Sequence, residues 1–202
     1  EKWFSLALTL CALIGFIYGG LCFFRKDSPL YARMIVFGIG CAMLGRLFET
    51  LQLFTAGEIQ AGFHVGKLGV LGSFQFFLGA NYGTMDSLVD DGSKAFRKYR
   101  LLPLIAPLLV AAFFAVYSVT VGFGESEIVT GVEMLVIALA SYYHLKPLII
   151  PDVEDGLIRA IRPYNLLALV YAVLCCAEML VNNLPGFLVP RIIVYVLLCA
   201  IL

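Results

Sequence analysis

Charged side chains are scarce in this chain, and their scarcity excludes a soluble globular fold. Only 14% of the 202 residues are charged, whereas 61% are hydrophobic and the mean hydropathy is +0.95. A soluble domain has roughly a quarter of its residues charged and about half apolar. The apolar residues recur in blocks that can each cross a bilayer, at about 20 residues per helical span. We therefore predict an integral membrane protein.

The sequence also lacks the alternation of apolar and polar residues that is typical of a membrane β-barrel. Its apolar runs are continuous, and lipid offers no hydrogen bonds to an exposed backbone, so the runs must be helices. The predicted fold class is all-α: a polytopic transmembrane helix bundle of about seven spans. The approximate spans are 3–24, 31–54, 63–85, 101–122, 128–149, 164–184 and 187–202.

The placement of Lys and Arg predicts the orientation of these spans. Ten of the fourteen basic residues fall in or beside the loops after spans 1, 3 and 5. Cytoplasmic loops carry an excess of Lys and Arg. The N-terminus is therefore predicted outside and the C-terminus inside. We expect residues 1–202 to form a single transmembrane domain, truncated within or after its last span, because the last apolar run is unbroken at Leu202.

Motifs for metal binding and for catalysis are missing. The two histidines, His64 and His144, fall at opposite membrane faces in this topology, and no His, Cys or Asp set has zinc spacing. The six cysteines lie in apolar segments, which favours reduced core residues. No Gly-x-Ser-x-Gly, His-Glu-x-x-His or P-loop pattern occurs. We expect no cofactor, no metal and no enzymatic activity, and the zero net charge predicts no nucleic-acid partner.

Span 3 is unusually rich in small residues. Gly66, Gly69, Gly72 and Gly79 recur along it. Small residues allow helix backbones to approach closely in lipid. We therefore predict that span 3 is central and contacts at least four other helices.

Ionisable residues inside the predicted spans form a candidate ligand site. Such residues are costly in a membrane and usually face the interior of the bundle. At about 100° per residue, the polar groups of spans 2, 3 and 6 each share one helical face. In the predicted topology, five helices bring polar groups to the outer half of the membrane. The candidate ligand-binding residues are Arg46, Glu49, Gln52, His64, Lys67, Gln75, Glu133, Glu178, Asn182 and Arg191.

The sequence leaves three interpretations of this cluster open. Its three basic and three acidic side chains could pair in three salt bridges that fix helix register. The cluster could instead line an outward-facing cavity for a small polar or zwitterionic ligand. A proton or ion path is the third interpretation.

The whole layout resembles the membrane input module of bacterial seven-helix sensor proteins. The resemblance is one of architecture: an external N-terminus, a cytoplasmic C-terminus, seven spans and an outward polar cavity. It implies a multi-pass receptor or sensor of the bacterial cell membrane that acts in signal transduction. The expected partners are the lipid bilayer, a small-molecule ligand and a cytoplasmic output domain or partner.

Two other functions remain open. A small-molecule transporter, or a substrate-binding membrane component, would need a polar route through the inner half, which Gln75, Asn81, Tyr82 and Asp86 of span 3 could extend. A lipid-active enzyme could hold Mg²⁺ at the acidic segment that contains Asp86, Asp90 and Asp91.

Overall fold

The computed structural model describes residues 2–59, 62–82, 94–122, 125–151, 157–183 and 188–202. These ranges contain seven long helices and no strand. The helices are α1 (Lys2–Phe23), α2 (Leu30–Thr55), α3 (Val65–Asn81), α4 (Arg97–Val121), α5 (Glu125–Ile149), α6 (Leu157–Asn183) and α7 (Leu188–Ile201). The predicted all-α fold is confirmed, and each predicted span coincides with one of these helices.

The lengths of the helices agree with a membrane protein. Five of them, α1, α2, α4, α5 and α6, are long and apolar enough to cross a membrane. Within the described ranges, α3 has 17 residues and α7 has 14. The count of seven spans and their orientation therefore remain predictions.

Helix α4 is irregular near its start and lies at the edge of the bundle. A 3-10 turn, Leu102–Leu104, interrupts it before the regular part Ile105–Val121. Pro103 lies in this turn, where its missing N–H cannot join the α-helical hydrogen-bond pattern. Most large apolar side chains of α4, such as Leu108 and Val119, are exposed. This surface is available to lipid.

The glycine face of α3 packs closely against α2. A Cβ added to Gly69 would lie 2.7 Å from the backbone nitrogen of Gly45 and 2.7 Å from the carbonyl oxygen of Cys41. The backbones can approach this closely only because neither glycine has a side chain. Helix α3 also packs on α5, and its aromatic side chains reach α6 through Tyr171. Within the described ranges the glycine face is interior as predicted, and the main neighbours of α3 are α2 and α5, fewer than the four helices predicted.

The apolar core lies in the middle of the bundle. Its fully buried side chains come from five helices and include Leu8, Phe74, Ile137, Tyr171 and Leu198. All six cysteines are free thiols, but of these predicted core residues only Cys175 and Cys176 are buried. Polar side chains gather instead at the two ends of the helices, on either side of this core.

Candidate functional site

A cavity of about 420 Å³ lies at the end of the bundle where α2 and α6 end and where α1, α3 and α5 begin. The last turns of α4 and Tyr195 of α7 also contribute to its wall. Seven of the ten candidate ligand-binding residues line it: Arg46, Glu49, His64, Lys67, Glu133, Glu178 and Asn182. Four helices and the residue that precedes α3 therefore bring polar side chains to one cavity.

Arg46 is the most heavily bonded group in this cavity. Its Nη1 donates to Glu178 Oε1 at 2.7 Å and to Glu49 Oε2 at 3.1 Å, and its Nη2 donates to Glu178 Oε2. A two-bond arginine–carboxylate pair of this kind is among the stronger polar contacts in proteins. The pair joins α2 to α6. Because two carboxylates share one guanidinium, this group of three carries excess negative charge.

Lys67 and Glu133 occupy another part of the cavity wall. Lys67 Nζ donates to Thr130 Oγ1 at 3.2 Å. Thr130 lies one helical turn before Glu133 on α5, so the ammonium lies near the Glu133 carboxyl. The ion pairs between described residues both involve Arg46, so no direct ion pair joins Lys67 to Glu133. Glu133 is only 3% exposed, and its Oε2 has no hydrogen-bond partner in the described part of the chain.

The interpretation as three register-fixing salt bridges is wrong for the described residues. Both ion pairs between described residues are made by Arg46, one with Glu49 and one with Glu178. Lys67 bonds a hydroxyl, and Arg191 Nη2 donates to the carbonyl oxygen of Val181 at 2.9 Å. That contact satisfies a carbonyl near the end of α6, where the helix itself offers no donor.

The structure does not bring Gln52, Gln75 and Arg191 to the cavity wall. Gln75 is exposed on the outer surface of α3. It follows Lys67 by eight positions, so its direction differs by about 80° from that of Lys67, at 100° per residue. That rotation takes it away from the interior. Arg191 bonds the end of α6, and Gln52 is half-buried on α2.

The candidate list from the sequence missed several polar lining residues: Ser5, Glu58, Tyr117, Thr130, Asn183 and Tyr195. The two tyrosine hydroxyls accept hydrogen bonds from neighbouring amides of α6, at 3.0 Å from Asn183 to Tyr117 and at 3.4 Å from Asn182 to Tyr195. Tyrosines near helix ends are common at membrane interfaces, so their presence in the sequence does not indicate a binding site. Thr130 could have been found from its position one turn before Glu133.

A second polar cluster lies at the opposite end of the bundle, where α3 and α5 end and α6 begins. Asn81 Nδ2 donates to Asn165 Oδ1 at 2.6 Å, and His144 Nδ1 lies 2.9 Å from the same oxygen. Asn165 Nδ2 in turn donates to the carbonyl oxygen of Ile161 at 3.0 Å. All three cluster side chains are buried. We call them the Asn81–His144–Asn165 cluster.

Other polar residues near this end of the bundle differ in how far they are buried. His144 and Lys146 of α5 are both buried. Of the predicted inner route, Asn81 belongs to the buried cluster, whereas Tyr82 is exposed. Asp86, Asp90 and Asp91 lie outside the described residues. The described residues contain no group of three or more His, Cys, Asp or Glu side chains that could hold a metal ion.

No protein-family model, curated protein or solved structure matches this chain.

Proposed function

We propose that this chain is a multi-pass membrane receptor or sensor domain that binds a small polar or zwitterionic ligand in the cavity. The observation that carries the proposal is a 420 Å³ cavity lined by charged groups that are not all paired with one another. Small-molecule sites usually measure about 300 to 1,000 Å³ and contain a few convergent polar groups. Ion pairs that only fixed the packing would require neither such a space nor a buried acceptor without a partner, which Glu133 Oε2 is among the described residues.

The proposed orientation places this cavity on the outer side of the membrane. The loop between α1 and α2, at the opposite end of the bundle, carries Arg25 and Lys26, whose carbonyl oxygens accept hydrogen bonds from Arg33. Basic residues concentrate in cytoplasmic loops. Seven spans with an external N-terminus therefore open the cavity to the outside. A ligand could then be detected without crossing the membrane.

The Arg46–Glu178 pair gives the proposed sensor a mechanism. A ligand shifts a conformational equilibrium only if it binds the two states with different affinity. A polar ligand that competes for Arg46 or Glu178 would weaken the link between α2 and α6. Because α6 also carries Asn165 of the cluster at the other end, a movement of α6 would reach the cytoplasmic side, where an output domain or partner would read it.

A binding screen tests the proposal. The protein in lipid nanodiscs is melted in the presence of amino acids, amines, carboxylates and sugars. A specific compound at a hundredfold excess over its Kd stabilises the folded state by about 2.7 kcal/mol. We expect one class to raise the melting temperature and Glu178→Gln to remove the rise. The matched control Asp27→Asn, in an exposed loop, keeps it. A screen in which no class has any effect would contradict the proposal.

Transport is the second candidate, and the buried Asn81–His144–Asn165 cluster favours it. The cluster places polar groups on α3, α5 and α6, three helices that also line the outer cavity. A transporter needs polar groups on both sides of its apolar middle. Uptake of a radiolabelled hit from the screen into proteoliposomes separates the two functions. Accumulation inside the vesicles indicates transport, and binding without uptake indicates a receptor.

A further inference from the structure

We infer that the ligand carries an ammonium group and that Glu133 is the residue that binds it. This inference rests on the proposed function and names the chemical class of the ligand. The cavity contains a buried carboxyl group, one oxygen of which has no hydrogen-bond partner among the described residues, and its lining has more acidic than basic side chains. Both features favour a cation with N–H donors.

Three cavity-lining residues have a buried polar atom without a hydrogen-bond partner among the described residues, and Glu133 is the only carboxylate of the three; the other two are Arg46, at Nε, and His64, at Nδ1. The Glu133 side chain is 3% exposed and lines the cavity, and its Oε2 has no hydrogen-bond partner within the described ranges. A buried acceptor left unsatisfied is destabilising, and more so when the group is charged. An ammonium group supplies up to three N–H donors and a compensating charge. It therefore provides the hydrogen bond that Glu133 Oε2 lacks, and its charge adds to that of the nearby Lys67.

The balance of charged side chains in the cavity lining also favours a cationic ligand group. Four carboxylates, those of Glu49, Glu58, Glu133 and Glu178, face two basic side chains in the cavity lining. Both terminal nitrogens of Arg46 are bonded by two of the carboxylates, and only its buried Nε is without a partner among the described residues. Opposite charges attract more strongly in a partly desolvated cavity than in water. The wall as a whole therefore favours a cationic group over an anionic one.

A metal ion fits this wall less well than an ammonium group does. Ca²⁺ takes six to eight oxygen ligands and Mg²⁺ needs near-octahedral geometry. The described residues offer no group of three or more acidic, histidine or cysteine side chains arranged to hold a metal. An ammonium group can bind one carboxylate by hydrogen bonds without a complete ligand shell.

Lys67 determines whether the site can also bind a carboxylate next to the ammonium group of the ligand. Its ammonium makes a hydrogen bond to Thr130 Oγ1, and an ammonium has three donors. Lys67 can therefore also bind a carboxylate that lies beside an ammonium bound at Glu133. The shared chemistry is the ammonium group, and its source is either a simple amine or an amino acid. The experiment below distinguishes a simple amine from an amino acid.

The test uses four three-carbon probes that differ in their charged groups: propylammonium, β-alanine, propionate and 1-propanol. Thermal unfolding is measured on the whole chain in lipid nanodiscs at a saturating concentration of each probe. We expect propylammonium, β-alanine or both to raise the melting temperature by at least about 2 °C, and the other two probes to leave it unchanged. Glu133→Gln should lose the rise, whereas the exposed-site control Asp27→Asn should keep it.

A second variant identifies the source of the ammonium group. If the natural ligand is an amino acid, Lys67→Gln loses the response to β-alanine and keeps the response to propylammonium. If the ligand is a simple amine, Lys67→Gln keeps both responses. The matched control is Lys26→Gln in the exposed loop before α2. Either result supports the ammonium inference.

The inference is overturned if propionate or 1-propanol stabilises the protein as well as the amines do, or if Glu133→Gln keeps the full response. Should Glu133→Gln fail to fold, the ranking of the four probes on the unmodified chain decides by itself. A hit from another class in the wider screen, without any response to the amines, overturns the inference and leaves the proposed function intact. A wider screen without any hit overturns both.

Discussion

Arg46 of α2 and Glu178 of α6, 132 positions apart in the sequence, form a buried ion pair with two hydrogen bonds. Glu49 shares the same guanidinium at 3.1 Å. Polar side chains within a membrane are costly unless they are paired in the interior. The pair therefore fixes where two distant helices meet, and it does so at the wall of the cavity.

Breaking this pair should destabilise the protein. Removing one partner of a buried ion pair costs about 3 to 5 kcal/mol, because the remaining charge is left uncompensated. We expect Arg46→Gln and Glu178→Gln each to lower the melting temperature in nanodiscs. The double exchange of Arg46→Glu with Glu178→Arg should be more stable than either of its single changes. A double exchange that is no better than its singles would show that the direct pair contributes little.

The contact between α2 and α3 should not tolerate a methyl group at Gly69. A Cβ there would lie 2.7 Å from the Gly45 nitrogen, and backbone cannot move as a flexible side chain does. Overpacking costs about 1 to 3 kcal/mol, so Gly69→Ala should lower stability by that amount. The matched control is Gly20→Ala on α1, whose Cβ would make an ordinary 3.4 Å contact with the Phe24 ring. Equal stability of the two variants would contradict the close packing.

Two polar side chains of the bundle should respond oppositely to replacement by leucine. Asn165 is fully buried and bonds Asn81 and His144, so Asn165→Leu leaves buried polar groups unsatisfied. The expected loss is about 1 to 3 kcal/mol in the free energy of unfolding. Gln75 is exposed on α3, so Gln75→Leu should leave the stability unchanged or raise it. Unfolding by denaturing detergent measures both, and a large loss for Gln75→Leu would place that side chain in the interior.

Thiol labelling in intact cells should decide the orientation. In a background without native cysteines, Glu58→Cys lies at the mouth of the cavity and Asp27→Cys lies in the loop between α1 and α2. A membrane-impermeant maleimide should label Glu58→Cys in intact cells and Asp27→Cys only after permeabilisation. The reverse pattern would place the cavity on the cytoplasmic side and would exclude a receptor for external ligands.

The sequence by itself determined where the helices lie along the chain and that their charged side chains face the interior of the bundle. Lipid cannot bond an exposed backbone, so long apolar runs have to be helical, and the seven predicted spans coincide with α1 to α7. The same cost sends charged groups inward, and seven of the ten candidate residues line one cavity. Glycines such as Gly69 were predicted to lie at a helix contact because they permit close backbone approach.

Only the tertiary structure decided which groups meet. Arg46 could have paired with any carboxylate at its depth, and its choice of Glu178 depends on how α2 and α6 pack. Gln75 lies on the outer surface, although it was grouped with Lys67, because the boundary of the interior face depends on the neighbouring helices. His144 is buried because α3 and α6 supply Asn81 and Asn165 from distant positions. A sequence gives the depth of a side chain and its direction relative to its own helix, whereas its partners depend on the rotation and position of every helix around it.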